Sequence, residues 1–197
     1  MHAYISDAGT KALLWYFNKT MRLGVRGLHV DTKGVELVKS LTGGNNRVVL
    51  MPLYKSFGDF FINQYVNRKF GIDSGFTFGN FEDTPRFRGI KNGWLNKSGY
   101  IFARRNEDQS LQSHFINSCL LTEIIDNNKV TTLFQNGDRF RSGKIYHRRN
   151  ADLSVKWLLD VYLNLHKLTN ITIVPVMISY DRIFEQGNLS QEMITGE

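Results

Sequence analysis

The sequence has one cysteine, Cys119, and three prolines among its 197 residues. It has no apolar run near the roughly 20 residues that a helix needs to cross a bilayer. A single cysteine excludes an internal disulfide and any cysteine-rich metal site. Cys119 falls in an apolar helical pattern and reads as a small core residue. The first residues lack the charged-then-apolar order of a secretory signal, so these absences together predict a soluble or peripheral protein. No internal repeat or low-complexity linker divides the chain, and its length fits one substantial core. Gln186 to Glu197 carry no stop signal, which leaves continuation beyond them open.

Acidic residues are also in short supply. Eighteen Asp and Glu face twenty-five Lys and Arg, giving a net charge of +7 and a pI near 9.5. Such a surface suits anionic partners: phosphate esters, acidic lipid head groups or nucleic acid. The aromatic residues fall on core faces rather than between basic ones, which argues against nucleic acid.

What is present alternates between helical and strand patterns. Leu13, Leu14, Phe17 and Met21 predict a basic amphipathic helix over Thr10 to Val25, able either to lie on an anionic membrane or to pack on its own domain. A brief helix over Gly34 to Leu41 ends at the turn Thr42 to Asn46. Val48 to Met51 reads as a buried strand. A polar turn from Tyr54 to Gly58 follows, and Phe60, Phe61, Tyr65 and Val66 then predict a helix from Asp59. A short strand with Phe76 and Phe78 comes next, then a helix with Phe87, Ile90, Trp94 and Leu95. Tyr100 to Ala103 forms a strand, and Leu111, Phe115, Leu120 and Ile124 mark a long helix. Val130 to Phe134, a helix from Leu153 to Leu165, and a strand from Ile171 to Ser179 complete the pattern. It predicts an α/β fold, a largely parallel or mixed sheet covered by helices in a single domain.

Three basic loops follow three of these strands: Lys55, then Arg104 with Arg105, then Arg139, Arg141 and Lys144. In a parallel sheet those strand ends share one edge, so the loops converge. Guanidinium forks grip phosphate in bidentate fashion, and Gly137 and Gly143 let backbone approach an oxyanion.

Four blocks at these loops carry a resemblance. Tyr54-Lys-Ser-Phe-Gly-Asp59 is similar to His-x-x-x-x-Asp, and Gly99-Tyr-Ile-Phe-Ala-Arg-Arg105 to Gly-x-x-Phe-x-Arg-Arg. Phe134-Gln-Asn-Gly-Asp-Arg-Phe-Arg-Ser-Gly-Lys144 is similar to Phe-x-Glu-Gly-Thr-Arg-Ser-Arg-Ser-Gly-Lys, and Ile173-Val-Pro-Val-Met-Ile-Ser-Tyr-Asp-Arg182 to Val-Pro-Ile-Ser-Ile-Ser-Tyr-Asp-Arg. In this order and at about this separation, from Val48 to Glu185, they resemble the glycerol-3-phosphate and dihydroxyacetone-phosphate acyltransferases.

The resemblance implies an acyltransferase-like domain over 48–185, a helical segment over 1–47 packed on it, and a tail over 186–197. It implies Asp59 as the carboxylate orienting a catalytic histidine, and Arg104, Arg105, Arg139 and Arg141 as phosphate ligands, with Lys55 and Lys144 beside them. No cofactor or metal is implied. The implied ligands are acyl-CoA or phospholipid and glycerol phosphate. The implied setting is a membrane surface, of mitochondria by family analogy or else of peroxisomes or the endoplasmic reticulum, in company with a membrane-protein complex.

The departures fall at the chemistry. Tyr54 stands at the histidine position, Asn136 and Asp138 stand at the Glu and Thr positions of the third block, and Phe140 stands at its first Ser. A general base works best with a pKa near the working pH. Imidazole, at about 6.5, meets that condition, and a phenol, at about 10, does not. Only about one unshifted phenol in a thousand is ionised at pH 7, equivalent to roughly 4 kcal/mol on the barrier. His2, His29, His114, His147 and His166 are the only replacement imidazoles, and none lies near Asp59 in sequence. The expectation is a catalytically silent acyltransferase-like accessory protein; the alternative is an active O-acyltransferase with an unusual base.

Overall fold

The structure is a computed structural model. It describes residues 6–43, 46–56, 58–73, 75–79, 95–102, 111–127, 129–134, 153–165 and 170–182. The predicted helix around Phe87, Ile90 and Trp94 lies outside them, as does the 186–197 tail.

Two helices open the chain. The first, α1, spans Asp7–Gly24 and is capped by Ser6, whose hydroxyl accepts from the Gly9 N–H. The second, α2, spans Thr32–Thr42 and is capped by Asp31, which accepts from the Lys33 N–H. Each cap satisfies a backbone donor that the helix leaves without an internal partner. The strands are β1 (Arg47–Pro52), β2 (Thr77–Gly79), β3 (Tyr100–Phe102), β4 (Val130–Leu133) and β5 (Ile171–Val176). Between and around them run α3 (Gly58–Lys69), α4 (Leu111–Asn127) and α5 (Leu153–Leu165).

Among the described residues the sheet runs β3-β2-β4-β1-β5, and every pairing is parallel. Val48 pairs with Val130 and Thr172, and Leu50 pairs with Thr132 and Val174. Pro175 is tolerated in β5 because that strand lies at the sheet's edge, where a missing N–H costs no ladder bond.

Strand alternation divides the core in two. Val49, Met51, Phe78 and Leu133 face Leu121, Ile124 and Ile125 of α4 and Trp157 and Leu158 of α5. Val48, Leu50 and Val130 face the opposite side, toward Val38 of α2 and Ile72. On that second side the Asn63 amide of α3 donates to the Thr132 hydroxyl at 2.9 Å. Outside α3 lies α1, where Phe17 stacks on Phe61 with ring centroids 5.4 Å apart.

Two expectations are corrected here. Cys119 is exposed rather than in the core, and Phe115 and Leu120 are exposed with it. The buried stripe of α4 is Asn117, Leu121, Ile124 and Ile125, spaced i, i+4, i+7 and i+8. In α3 the buried face includes Asn63, Gln64 and Asn67, whereas Phe61, Tyr65 and Val66 are only half-buried. Covered on two sides, that helix hides amides that an apolar-stripe reading assigns to solvent. Gln64, for example, donates to the Ser98 carbonyl at 2.8 Å.

Leu121 is 0 % exposed and Leu120 is 42 % exposed, so truncating these neighbours separates the two faces. Leu121→Ala is expected to cost about 2–5 kcal/mol and Leu120→Ala less than about 1 kcal/mol. Urea unfolding of both variants measures the difference.

Candidate functional site

Parallel strands send the chain off one edge of the sheet. From that edge β1 leads into 53–56, β3 toward Arg104 and Arg105, β4 toward Arg139, Arg141 and Lys144, and β5 into 177–182. Each of the four blocks therefore starts just past, or runs through, the carboxyl end of a parallel strand, the edge at which open α/β sheets bind ligands. Arg104, Arg105, Arg139, Arg141 and Lys144 themselves lie outside the described residues, as do Asn136, Asp138 and Phe140. Tyr54, Lys55 and Asp59 lie within them.

The turn after β1 is built around Ser56 and Asp59. The Ser56 hydroxyl accepts from the Gly58 N–H at 3.1 Å, and the Asp59 Oδ2 accepts from the Ser56 N–H at 2.8 Å. The carboxylate arm is that of a capping box, Ser-x-x-Asp, at the start of α3, while the serine hydroxyl takes the Gly58 N–H and the Asp59 N–H donates to the Ser56 carbonyl at 3.0 Å. The same Oδ2 also accepts from the Lys55 N–H at 2.6 Å. An acid in the first helical turn is further favoured by the partial positive charge of the helix N-terminus. Asp59 and Ser56 are both 0 % exposed, so the bonds form away from water, where an unmet donor or acceptor is costly.

The other carboxylate oxygen, Oδ1, accepts a short hydrogen bond from the Tyr180 hydroxyl. Tyr180 belongs to the fourth block, 121 residues along the chain from Asp59. Its phenol thus bonds the segment after β5 to the start of α3. Beside it the Leu53 N–H donates to the Val176 carbonyl at 3.3 Å, a second link between the turns after β1 and β5.

Tyr54 does not sit in a polar turn. It is 5 % exposed and packs edge-on to Phe60 and Phe134, with ring centroids 5.1 and 6.2 Å away. Leu13, Leu95 and Tyr100 complete the apolar cluster. Tyr100 is anchored by its hydroxyl, which donates to the Phe60 carbonyl at 2.7 Å. Burial pushes the Tyr100 phenol well above the ordinary tyrosine range, so it stays neutral. The ring at the histidine position is therefore walled by aromatic faces and helps to hold the first turn of α3 against β4.

Of the five histidines, His29 lies in the exposed connection between α1 and α2, and His114 lies in α4. His2, His147 and His166 lie outside the described residues. Among the described residues, no group of three or more His, Cys, Asp or Glu side chains is placed to hold a metal ion.

Sequence reasoning overlooked Ser56 and Tyr180. The Ser-x-x-Asp spacing before an apolar run was a readable cap signal. Tyr180 was visible only as part of its block, because a contact across so many residues leaves no local mark. Ser56→Ala is expected to destabilise the protein by about 0.5–2 kcal/mol through loss of the cap. Thermal or urea unfolding monitored by circular dichroism reads that loss, and an unchanged midpoint contradicts the capping geometry.

No family model matches the chain. It is 28% identical over 201 residues to "Glycerol-3-phosphate acyltransferase 1, mitochondrial" of Sus scrofa, covering 98% of this chain and 23% of that protein. The human protein of the same name is 26% identical over 207 residues, with the same two coverages. A "Glycerol-3-phosphate acyltransferase" of Shewanella amazonensis is 22% identical over 186 residues, covering 92% of this chain and 21% of that protein. The chain thus spans about a quarter of the length of the relatives it matches. Similarity along nearly the whole chain, with a parallel sheet beneath the four blocks, supports its membership of the glycerol-3-phosphate acyltransferase family as an acyltransferase-like α/β domain.

Proposed function

We propose that the chain is a catalytically silent acyltransferase-like domain that binds a phosphate-bearing ligand and works as an accessory subunit at a membrane. The observation that carries this reading is the setting of Tyr54, a phenol at the histidine position buried against Phe60 and Phe134. A general base must reach the substrate hydroxyl and hold an accessible proton-accepting form at working pH. A phenol buried edge-on against two aromatic rings is poorly placed for either demand. Asp59, the carboxylate that would orient the imidazole, instead bonds the turn's N–H groups and Tyr180. Asn136 at the third block's Glu position adds a second loss, since an amide brings no charge to an arginine network.

The binding half of the proposal rests on the basic residues Lys55, Arg104, Arg105, Arg139, Arg141 and Lys144, whose segments enter at one sheet edge. Their chemistry suits a phosphomonoester or phospholipid head group, in keeping with the glycerol phosphate and acyl-CoA that the family resemblance implies. In this reading 48–185 is the ligand-binding domain, 1–47 a helical segment packed on it, and 186–197 a tail. The location is a mitochondrial membrane, by analogy with relatives whose names carry that word. No described helix is long and apolar enough to cross a bilayer.

A second reading, an active O-acyltransferase, is favoured by one observation: Asp59 stays in place and bonded to a phenol, a group that in ionised form could accept a proton. Transfer of a labelled acyl group from acyl-CoA to glycerol-3-phosphate or dihydroxyacetone phosphate by the purified protein separates the two. The expected result is no turnover above background, with measurable activity appearing in Tyr54→His. Turnover by the unaltered chain that disappears in a folded Asp59→Asn variant would overturn the silent reading.

A further inference from the structure

The first helix carries two faces of different character. Its inner face, Leu13 and Phe17, is buried in the domain. Its outer face holds Trp15, 64 % exposed, Tyr16, 57 % exposed, and Leu23, 91 % exposed. Lys19 and Arg22, both exposed, lie among them. At 3.6 residues per turn these five side chains fall within an arc of roughly 120°. Lys19 sets its ammonium 5.7 Å from the centre of the Trp15 ring, so indole and cation share one surface. The helix's only acid, Asp7, is bonded to Lys11 and Arg68, which leaves the outer arc free of negative charge.

The surroundings add positive charge. Arg26 is exposed just past the helix end. A cleft of about 240 Å³ beside Trp15 reaches Tyr65 and Lys69 of α3. Exposed large apolar side chains also occur on α4 and α5, but Lys156 and Glu123 there give mixed charge. The α1 face is distinguished by carrying cations alone.

We propose that this outer face of α1 rests on an anionic lipid surface while the helix stays packed on the domain. Trp and Tyr prefer the boundary between head groups and acyl chains, where an apolar body and a polar tip are both accommodated. Leu23 adds apolar insertion, and Lys19, Arg22 and Arg26 are attracted to acidic head groups. At about 27 Å, the helix gives one continuous contact in the plane of the surface. The inference rests on the membrane location proposed above and identifies the surface that serves it. It does not depend on whether the Asp59 site turns over substrate.

Flotation of the full chain with phosphatidylcholine vesicles, with and without phosphatidylserine, tests it. The protein is expected to float with the acidic vesicles, to stay behind with the neutral ones, and to be released by added salt. Lys19→Glu with Arg22→Glu is expected to lower partitioning at least about tenfold, and Trp15→Ser with Leu23→Ser to lower it by a comparable factor. Lys129→Glu with Lys156→Glu, an equal charge change at exposed positions outside α1, is expected to leave it near the starting value. Circular dichroism confirms that each variant is folded. Absence of flotation with acidic vesicles overturns the proposal, as does unchanged flotation of the α1 variants or an equal loss in the control pair. Any of these failures leaves the acyl-transfer result above unaffected.

Discussion

One buried carboxylate ties the molecule's functional edge together. Asp59 accepts N–H groups from Lys55 and Ser56 on one oxygen and the Tyr180 hydroxyl on the other. The first set of bonds closes the turn after β1 and starts α3. The second fastens the turn after β5 to the same point. Two segments far apart in the chain therefore meet on one side chain, at the edge where the sheet delivers its four loops. Without that carboxylate two inward-facing N–H groups would lose their acceptor, and a deficit of that kind away from water costs about 1–3 kcal/mol for each group.

This arrangement gives Asp59 a structural role that does not depend on catalysis. An aspartate in a first helical turn has structural value in any α/β protein, because it caps and opposes the helix dipole. Retention of Asp59 is therefore weak evidence for catalysis. Tyr54 points the same way, since its ring fills space between Phe60 and Phe134 in a position from which an imidazole would have to reach substrate. The helices flanking the sheet also divide the labour, with α4 and α5 closing one face and α2 and α3 the other. Among the described helices only α1 lies outside α3, and its outer side chains Trp15, Tyr16 and Leu23 are exposed.

Much of the fold was legible before any coordinates. Val48 to Met51, Tyr100 to Phe102 and Val130 to Leu133 are short apolar runs bounded by turns, and each is a strand. Regular α/β alternation made the parallel sheet readable as well, since parallel pairing requires crossovers. Burial within helices was less accessible. Leu120 and Leu121 are chemically identical and adjacent, and only the packing of α4 on the sheet decides which one is covered. The buried amides of α3 left no apolar signal either, because a helix covered on both sides also buries polar groups, as Asn63 and Gln64 show by bonding Thr132 and the Ser98 carbonyl. At the site the chain showed that Tyr54 stands where the resemblance expects a histidine and concealed where its ring goes. Tyr180 was invisible as a partner of Asp59, because a hydrogen bond across 121 residues has no periodicity to betray it.

If Asp59 is a fastening for the fold rather than a member of a proton relay, its bond to Tyr180 must contribute to stability. A double-mutant cycle with Asp59→Asn, Tyr180→Phe and the combination, followed by urea unfolding, measures that coupling without any substrate. A coupling of at least about 1 kcal/mol is predicted for a hydrogen bond to a charged partner. Additive single effects, with coupling near zero, would contradict the account.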